Sequence, residues 1–220
     1  MAFFIRMWGI LAELLLRRVA FARARFFVDK MEEWLGGVYL LDIGCGAGHI
    51  AVTLARLGLN VTMIDVKPPW KWLAMRLLGL PCALTLSALH QVPHRHFDGK
   101  RVPYDNRKFD TVLLAFVLHH AQNSDQLLSE AIRVTKRRLI VFEDIPPVRK
   151  GKARWWRASD FLLNLEVAGG GAHANKSYGE WVRTFEAMGL EVAYSEQFES
   201  TVLGGLLRFP NVMFILEPIA

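Results

Sequence analysis

A doubly wound α/β sheet is the fold this 220-residue chain predicts, and three observations predict it. Residues 38–43 are a short apolar run broken only by Asp42, and Gly44, Cys45, Gly46, Ala47 and Gly48 follow at once. Residues 49–58 then carry helical spacing, and a further apolar run, 61–66, ends on Asp65 and Val66. Apolar runs and amphipathic stretches go on alternating toward the carboxyl end. Strand, glycine turn, helix, strand and acid make the first half of a nucleotide-binding sheet, with ligand at the carboxyl ends of its strands. An adenosine-containing cofactor is the expectation.

The elements can be justified in order. Residues 1–25 are intensely apolar, yet Arg6, Glu13, Arg17 and Arg18 interrupt them. No uncharged run reaches the ~18–20 residues a membrane crossing needs, and no small-residue cleavage site follows a short apolar core. On a helical wheel Arg6, Glu13 and Arg17 share one face, opposite Phe3, Phe4, Met7, Trp8, Leu11, Leu14 and Leu15. A packing element or a lid is the first reading, and peripheral membrane contact is the alternative. A second helix, 26–35, stops at Gly36 and Gly37. Pro68 and Pro69 break the chain after the second strand, and residues 70–90, with Trp70, Trp72, Met75 and Leu77, supply a helix. Short strands follow at 93–97 and 111–116. Asn123 or Ser124 caps a helix to Val134, and 138–143 is the fifth strand. Helices at 155–167 and 178–188 and strands at 191–198 and 211–217 complete the chain, with Gly169, Gly170 and Gly171 as a connection.

Glycine spacing bears on which cofactor. A dinucleotide fingerprint places glycines at its first, third and sixth positions; here Gly44, Gly46 and Gly48 stand first, third and fifth, and His49 is sixth. Asp42, just ahead of the turn, would repel a pyrophosphate but suits a cofactor with an ammonium end. Asp65 lies 21 residues past Gly44, near the ~20-residue offset at which an acid meets ribose hydroxyls. Lys67 leaves a 2′-phosphate open on charge alone, but the balance favours S-adenosylmethionine over NAD.

Composition narrows the classes. With 52% hydrophobic residues the chain can bury one substantial core and reads as one domain, 1–220. Within it, 1–36 is the helical lid or packing segment, 38–144 the cofactor core and 145–220 the substrate side. Two cysteines, Cys45 and Cys82, make no disulfide framework, so a reducing cytoplasm fits. His90, His94 and His96 stand close together without zinc spacing, so no metal is expected. The net charge of +6 comes from scattered clusters, among them Arg17, Arg18, Arg23 and Arg25, and Arg149, Lys150, Lys152 and Arg154. Solvated faces explain them, so no DNA is expected and RNA is disfavoured.

Residues 41–48, Leu-Asp-Ile-Gly-Cys-Gly-Ala-Gly, are where the chain resembles the class I S-adenosylmethionine-dependent methyltransferases, type 11 subgroup. Phe97-Asp98-Gly99, Val102-Pro103-Tyr104-Asp105, Phe109-Asp110, Leu118-His119-His120 and Glu130 to Val134 with Arg133 continue the likeness in order. The resemblance implies a Rossmann-like sheet of seven strands, the last antiparallel, with helices on both faces. It also implies that Asp42, Gly44, Cys45, Gly46 and Gly48 cradle the methionine half and that Asp65, beside Val66, takes the ribose. Asp98 and Gly99 would meet the adenine, and Ala115, Phe116 and His120 would lie beside the methionine portion.

The expected reaction is methyl transfer to a small, hydrophobic acceptor, with oxygen preferred, held in line at the carboxyl ends of strands four and five. His119 and His120 are the catalytic candidates, since a neutral imidazole can take a proton from a hydroxyl. Backbone hydrogen bonding and packing are the alternative roles for that pair. Glu143, Asp144, Asp160, Asn164, His173 and Asn175 are candidate acceptor contacts, and Trp155, Trp156 and Trp181 candidate pocket walls. A non-catalytic cofactor-binding scaffold, an RNA methyltransferase and an NAD(P)-linked oxidoreductase are the other readings.

Overall fold

The computed structural model describes residues 18–66, 90–145, 176–202 and 207–219. Helix α1 occupies residues 18–31 and runs into a 3-10 turn at Glu32–Trp34. The remaining elements are β1 (Tyr39–Ile43), α2 (His49–Arg56), β2 (Asn60–Val66), β3 (His94–Phe97), β4 (Phe109–Ala115), α3 (Ser124–Val134), β5 (Thr135–Asp144), α4 (Tyr178–Ala187), β6 (Leu190–Val202) and β7 (Leu207–Pro218). The expected helix at 155–167, nearly all of that at 70–90, and residues 1–17 lie outside the described residues.

The seven strands form one sheet in the order β3-β2-β1-β4-β5-β7-β6. Strands β1 to β5 pair in parallel, and β7 is antiparallel to both β5 and β6. Parallel strands covered on both faces read as unbroken apolar runs, and every β4 residue from Phe109 to Leu114 is buried. On one face α1 and α2 bring Phe27, Met31, Val52 and Leu54 against Leu40, Met63, Leu113, Ile140 and Phe142. On the other, α3 and α4 bring Leu127, Leu128, Ala131, Trp181 and Phe185 against Ile43, Val112, Leu114, Val141 and Phe214.

Local sequence accounts for the helices. Ala24, Phe27, Val28 and Met31 are all buried at the spacing of one helical face, and Arg25 pairs with Asp29 one turn on, at 2.5 Å. No cap or breaker stands near residue 25, so the two expected helices are one continuous α1 there. Asn123 caps α3 by accepting from Gln126 N at 3.0 Å. Ser177 and Glu180 form a capping box ahead of α4.

Three strands are longer than their apolar runs. The cationic stretch Lys136, Arg137 and Arg138 already belongs to β5, its side chains turned to Asp110 and Glu217. Likewise β6 and β7 pair as a long hairpin, Val202 opposite Leu207, that runs past the Asp144–Asn211 pair where β5 stops. Strand order reverses between β1 and β4, which opens a crevice at the carboxyl ends of those strands. No helix among the described residues is long and apolar enough to cross a membrane.

Candidate functional site

The turn after β1 is tied to β2: Gly44 N and Cys45 N both donate to Ile64 O, at 2.8 and 3.2 Å. Gly44 has φ +72, and a Cβ on it would lie 2.2 Å from Val117 Cγ2. Only glycine lets the turn lie this close to the segment after β4. Gly46 N donates to Asp65 Oδ2 and Val66 N to Asp65 Oδ1, both at 2.7 Å. A Cβ on Gly46 would meet nothing within 4 Å, so open space lies above the turn.

Asp42 and Asp65 face the same side of the sheet, since Asp42 pairs with Met63, two residues before Asp65. Asp42 is buried, and its Oδ1 has no hydrogen-bond partner. Burial, and then the charge on Asp65, pushes its pKa up to about 7. Burial also raises Asp65, against the Gly46 and Val66 amides and the charge of His96, which work to lower it. The Cys45 thiol is pushed up by burial and then by Asp42 and Asp65. Two carboxylates in one desolvated corner resist joint ionisation unless a cation joins them. An ammonium group fits this donor-poor, acid-rich corner, and an anion does not.

Asp98 and Gly99 follow β3, and a Cβ on Gly99 would sit 3.1 Å from Val66 Cγ1, so this turn abuts the end of β2. Asp98 Oδ1 accepts from Lys100 N and Arg101 N, each at 2.8 Å. Those amides, Arg101 first, hold its carboxyl below the usual range. The loop beyond is braced by Arg133, which donates to Val102 O, Tyr104 O and Asn106 Oδ1 at 2.8–2.9 Å. Glu130 completes the brace by accepting from Val102 N at 2.9 Å.

Ala115 ends β4 and Phe116 follows it with φ +58, a left-handed conformation uncommon for a bulky residue. The Phe116 ring lies 5.0 Å from Phe27 of α1 and 6.1 Å from Phe142 of β5. Arg23 of α1 stands over both Phe27 and Phe116, at 5.5 and 5.9 Å, within the field of Asp144. Neither Arg23 nor Phe27 was legible as a site residue; the spacing of an arginine and a phenylalanine one turn apart was the available signal.

The two histidines sit in a 3-10 turn, Leu118–His120. His119 is 1% exposed, and its Nδ1 lies 2.5 Å from Glu143 Oε2. Glu143, 0% exposed, also accepts from Leu118 N at 2.9 Å. The His119 and His120 rings are in contact, 3.9 Å between centroids, with His120 half-buried. Glu143 therefore holds the turn from beneath rather than lining open space. Trp181 is likewise core, stacked on Phe185 at 5.6 Å. Asp160, Asn164, His173, Asn175, Trp155 and Trp156 lie outside the described residues. Among the described residues no three His, Cys, Asp or Glu side chains are grouped as metal ligands would be.

The carboxyl edge of β1 to β5 thus collects Asp42, Gly44 to Gly48, Asp65, Val66, Asp98, Gly99, Ala115, Phe116, His119 and His120. Residues 41–141 match the model of a methyltransferase domain family. A demethylmenaquinone methyltransferase of Tropheryma whipplei is 31% identical over 122 residues, 54% of this chain and 47% of its own length. A ubiquinone biosynthesis O-methyltransferase of Proteus mirabilis is 25% identical over 154 residues, 68% of this chain and 59% of its own. The chain spans about half the length of the curated relatives it matches. A SAM-dependent methyltransferase structure from Methanosarcina mazei superposes with a TM-score of 0.62 at 18% identity, covering 86% of this chain and 96% of that one. Magnesium protoporphyrin IX methyltransferase of Synechocystis, with bound SAH, gives 0.58 at 17%, covering 92% and 83%.

Proposed function

We propose that the chain is a class I S-adenosylmethionine-dependent methyltransferase, as the methyltransferase-domain match over residues 41–141 supports, and that it transfers a methyl group from S-adenosylmethionine to a small, hydrophobic acceptor, with oxygen as the preferred nucleophile. One observation carries the cofactor assignment: Asp42, a buried carboxylate with an unpartnered oxygen, lies beside the glycine turn at the reversal of strand order. Asp42 is the counter-ion for the cofactor's ammonium. Asp65, whose oxygens each keep a further lone pair beyond the Gly46 and Val66 amides, accepts from the ribose hydroxyls. The Asp98–Gly99 turn borders the adenine, and Ala115 and Phe116 border the methionine portion.

The cofactor supplies a methyl group that is already electrophilic, so the protein's part is to hold the acceptor in line and exclude water. His120, half-buried beside the crevice, is assigned to take the acceptor's hydroxyl proton. His119, held through Nδ1 by Glu143, is assigned to back the His120 ring. The half-buried Phe116 ring, backed by Phe27 and Phe142 of the core, supports an apolar acceptor. The relatives named for demethylmenaquinone and for ubiquinone biosynthesis support a quinone-type ring as the acceptor.

The test is incubation with methyl-labelled S-adenosylmethionine and a panel of hydrophobic phenols and hydroquinones. Label should pass into the organic extract. Asp65→Ala should weaken cofactor binding by about 1–3 kcal/mol, the cost of losing charge-assisted hydrogen bonds. Cofactor binding without transfer to any member of the panel would make the chain a binding scaffold instead.

A further inference from the structure

We propose that Asn211 and Ser200 form a polar clamp for the hydroxyl group of a ring-shaped, otherwise apolar acceptor, where β5 and β6 end and β7 begins. The inference rests on the methyl-transfer reading above and names the group by which that acceptor is recognised. Asn211 stands opposite Asp144 on β5 and Phe198 on β6, so all three side chains share the sheet face that α1 covers. Asn211 is 0% exposed, and its Nδ2 donates to Asp144 Oδ1. An ionised carboxylate oxygen accepts and does not donate, so this bond fixes which end of the amide faces Asp144. The other end, Asn211 Oδ1, is then a buried acceptor with no donor.

Ser200 is 2% exposed, and its Oγ also has no hydrogen-bond partner. It pairs with Phe209 and Asn211 pairs with Phe198, which makes Ser200 and Asn211 diagonal neighbours on one face of the hairpin. Folded interiors rarely leave such groups unmatched, and two of them at diagonal positions on one face of a hairpin suit a shared partner. A hydroxyl group matches both, donating to Asn211 Oδ1 and accepting from the Ser200 hydroxyl. A ketone or methyl ether cannot donate and leaves Asn211 Oδ1 orphaned. The clamp therefore selects a ring that carries a hydroxyl at this position, apart from the hydroxyl assigned to His120, over one that carries a ketone or ether there.

The setting is apolar. Phe198 lies 6.2 Å from Phe142 and Phe142 lies 6.1 Å from Phe116, and this aromatic cluster, with Phe27 of α1 packed on it, runs from the clamp to the end of β4. Neither Asn211 nor Ser200 supports the glycine turn or the Asp42–Asp65 corner, so cofactor affinity and acceptor affinity should separate on substitution.

The experiment uses the full chain loaded with S-adenosylhomocysteine and follows 2-naphthol and 2-methoxynaphthalene by ligand-observed NMR. 2-Naphthol should bind at least ten-fold more tightly. Ser200→Ala and Asn211→Ala should each weaken 2-naphthol at least five-fold and leave S-adenosylhomocysteine affinity unchanged. Ser200→Ala should also raise the unfolding temperature of the free protein, because it removes an orphaned buried hydroxyl; a structural serine would lower it. If Asn211→Ala does not fold, Ser200→Ala decides alone. Equal binding of the two probes, no binding of 2-naphthol, or unchanged 2-naphthol affinity in the variants would overturn the clamp. Failure of the unmodified chain to bind S-adenosylhomocysteine would overturn the methyl-transfer reading itself, and the clamp with it.

Discussion

Asp42→Asn tests the cofactor corner through both affinity and pH. Asp42 is buried with one oxygen unpartnered, and its pKa stands at about 7. In the free protein about 1% of Asp42 is ionised at pH 5 and about half at pH 7. A cationic group docks on the ionised form, so the Kd for S-adenosylhomocysteine should tighten by about 50-fold from pH 5 to pH 7, or roughly 2.3 kcal/mol. Close to one proton should be released per ligand at pH 5 to 6. Asp42→Asn should bind with no such slope or release, and more weakly at pH 7 by about 1.5–3 kcal/mol. The folded pKa lies above the ordinary 3.8, so the native state keeps a proton the unfolded chain loses. This carboxyl therefore costs the free protein stability as pH rises from about 4 to about 7, by roughly 4 kcal/mol at most. Asp42→Asn should accordingly stabilise the free protein at pH 8 and not at pH 3.5. Isothermal titration in buffers of different ionisation enthalpy, together with urea unfolding at both pH values, reads all of this. The same pH slope in both proteins would refute the reasoning, because the titration would then belong to another group.

Gly44→Ala should abolish cofactor binding and lower the unfolding temperature, since the new methyl would meet Val117 Cγ2 at 2.2 Å on a backbone at φ +72; binding within two-fold of the unmodified chain would contradict this. Glu143→Ala strips the acceptor from Leu118 N and from His119 Nδ1 in a fully buried site. It should destabilise by about 3 kcal/mol in urea with the denaturant slope unchanged, and a loss under about 1 kcal/mol would mean the turn is held otherwise. Arg133→Ala should cost about 1–3 kcal/mol and speed hydrogen exchange of the Tyr104 and Arg107 amides, with no such change at Gly46.

The cofactor half of the fold was legible because its signals are local. A glycine turn, acids at two strand ends and an asparagine cap each lie within a few residues of what they control. Asp42, Asp65 and Asn123 accordingly stand at the strand ends and the cap where the sequence put them. The other half depends on contacts far apart in sequence. Lys136 and Arg137 are cationic yet extend β5 ahead of the start expected at Arg138, because Asp110 on the neighbouring strand receives them. The hairpin of β6 and β7 is half polar along its length, so its apolar pattern marks only the segment over the core. The break expected between two amino-terminal helices was misplaced for the same reason: residues 18–31 share one buried face that only the sheet defines. Among site residues, Glu143 was visible as an acid ending a strand, but its place beneath His119 was not. Asn211 and Ser200 carry no motif, and their unmatched polar atoms exist only once the hairpin is formed.

The most direct test of the central claim is calorimetric titration of the purified chain with S-adenosylmethionine, S-adenosylhomocysteine and NADH in parallel. Micromolar binding of the two adenosyl compounds and none of NADH is the predicted result. Binding of neither adenosyl compound would contradict it.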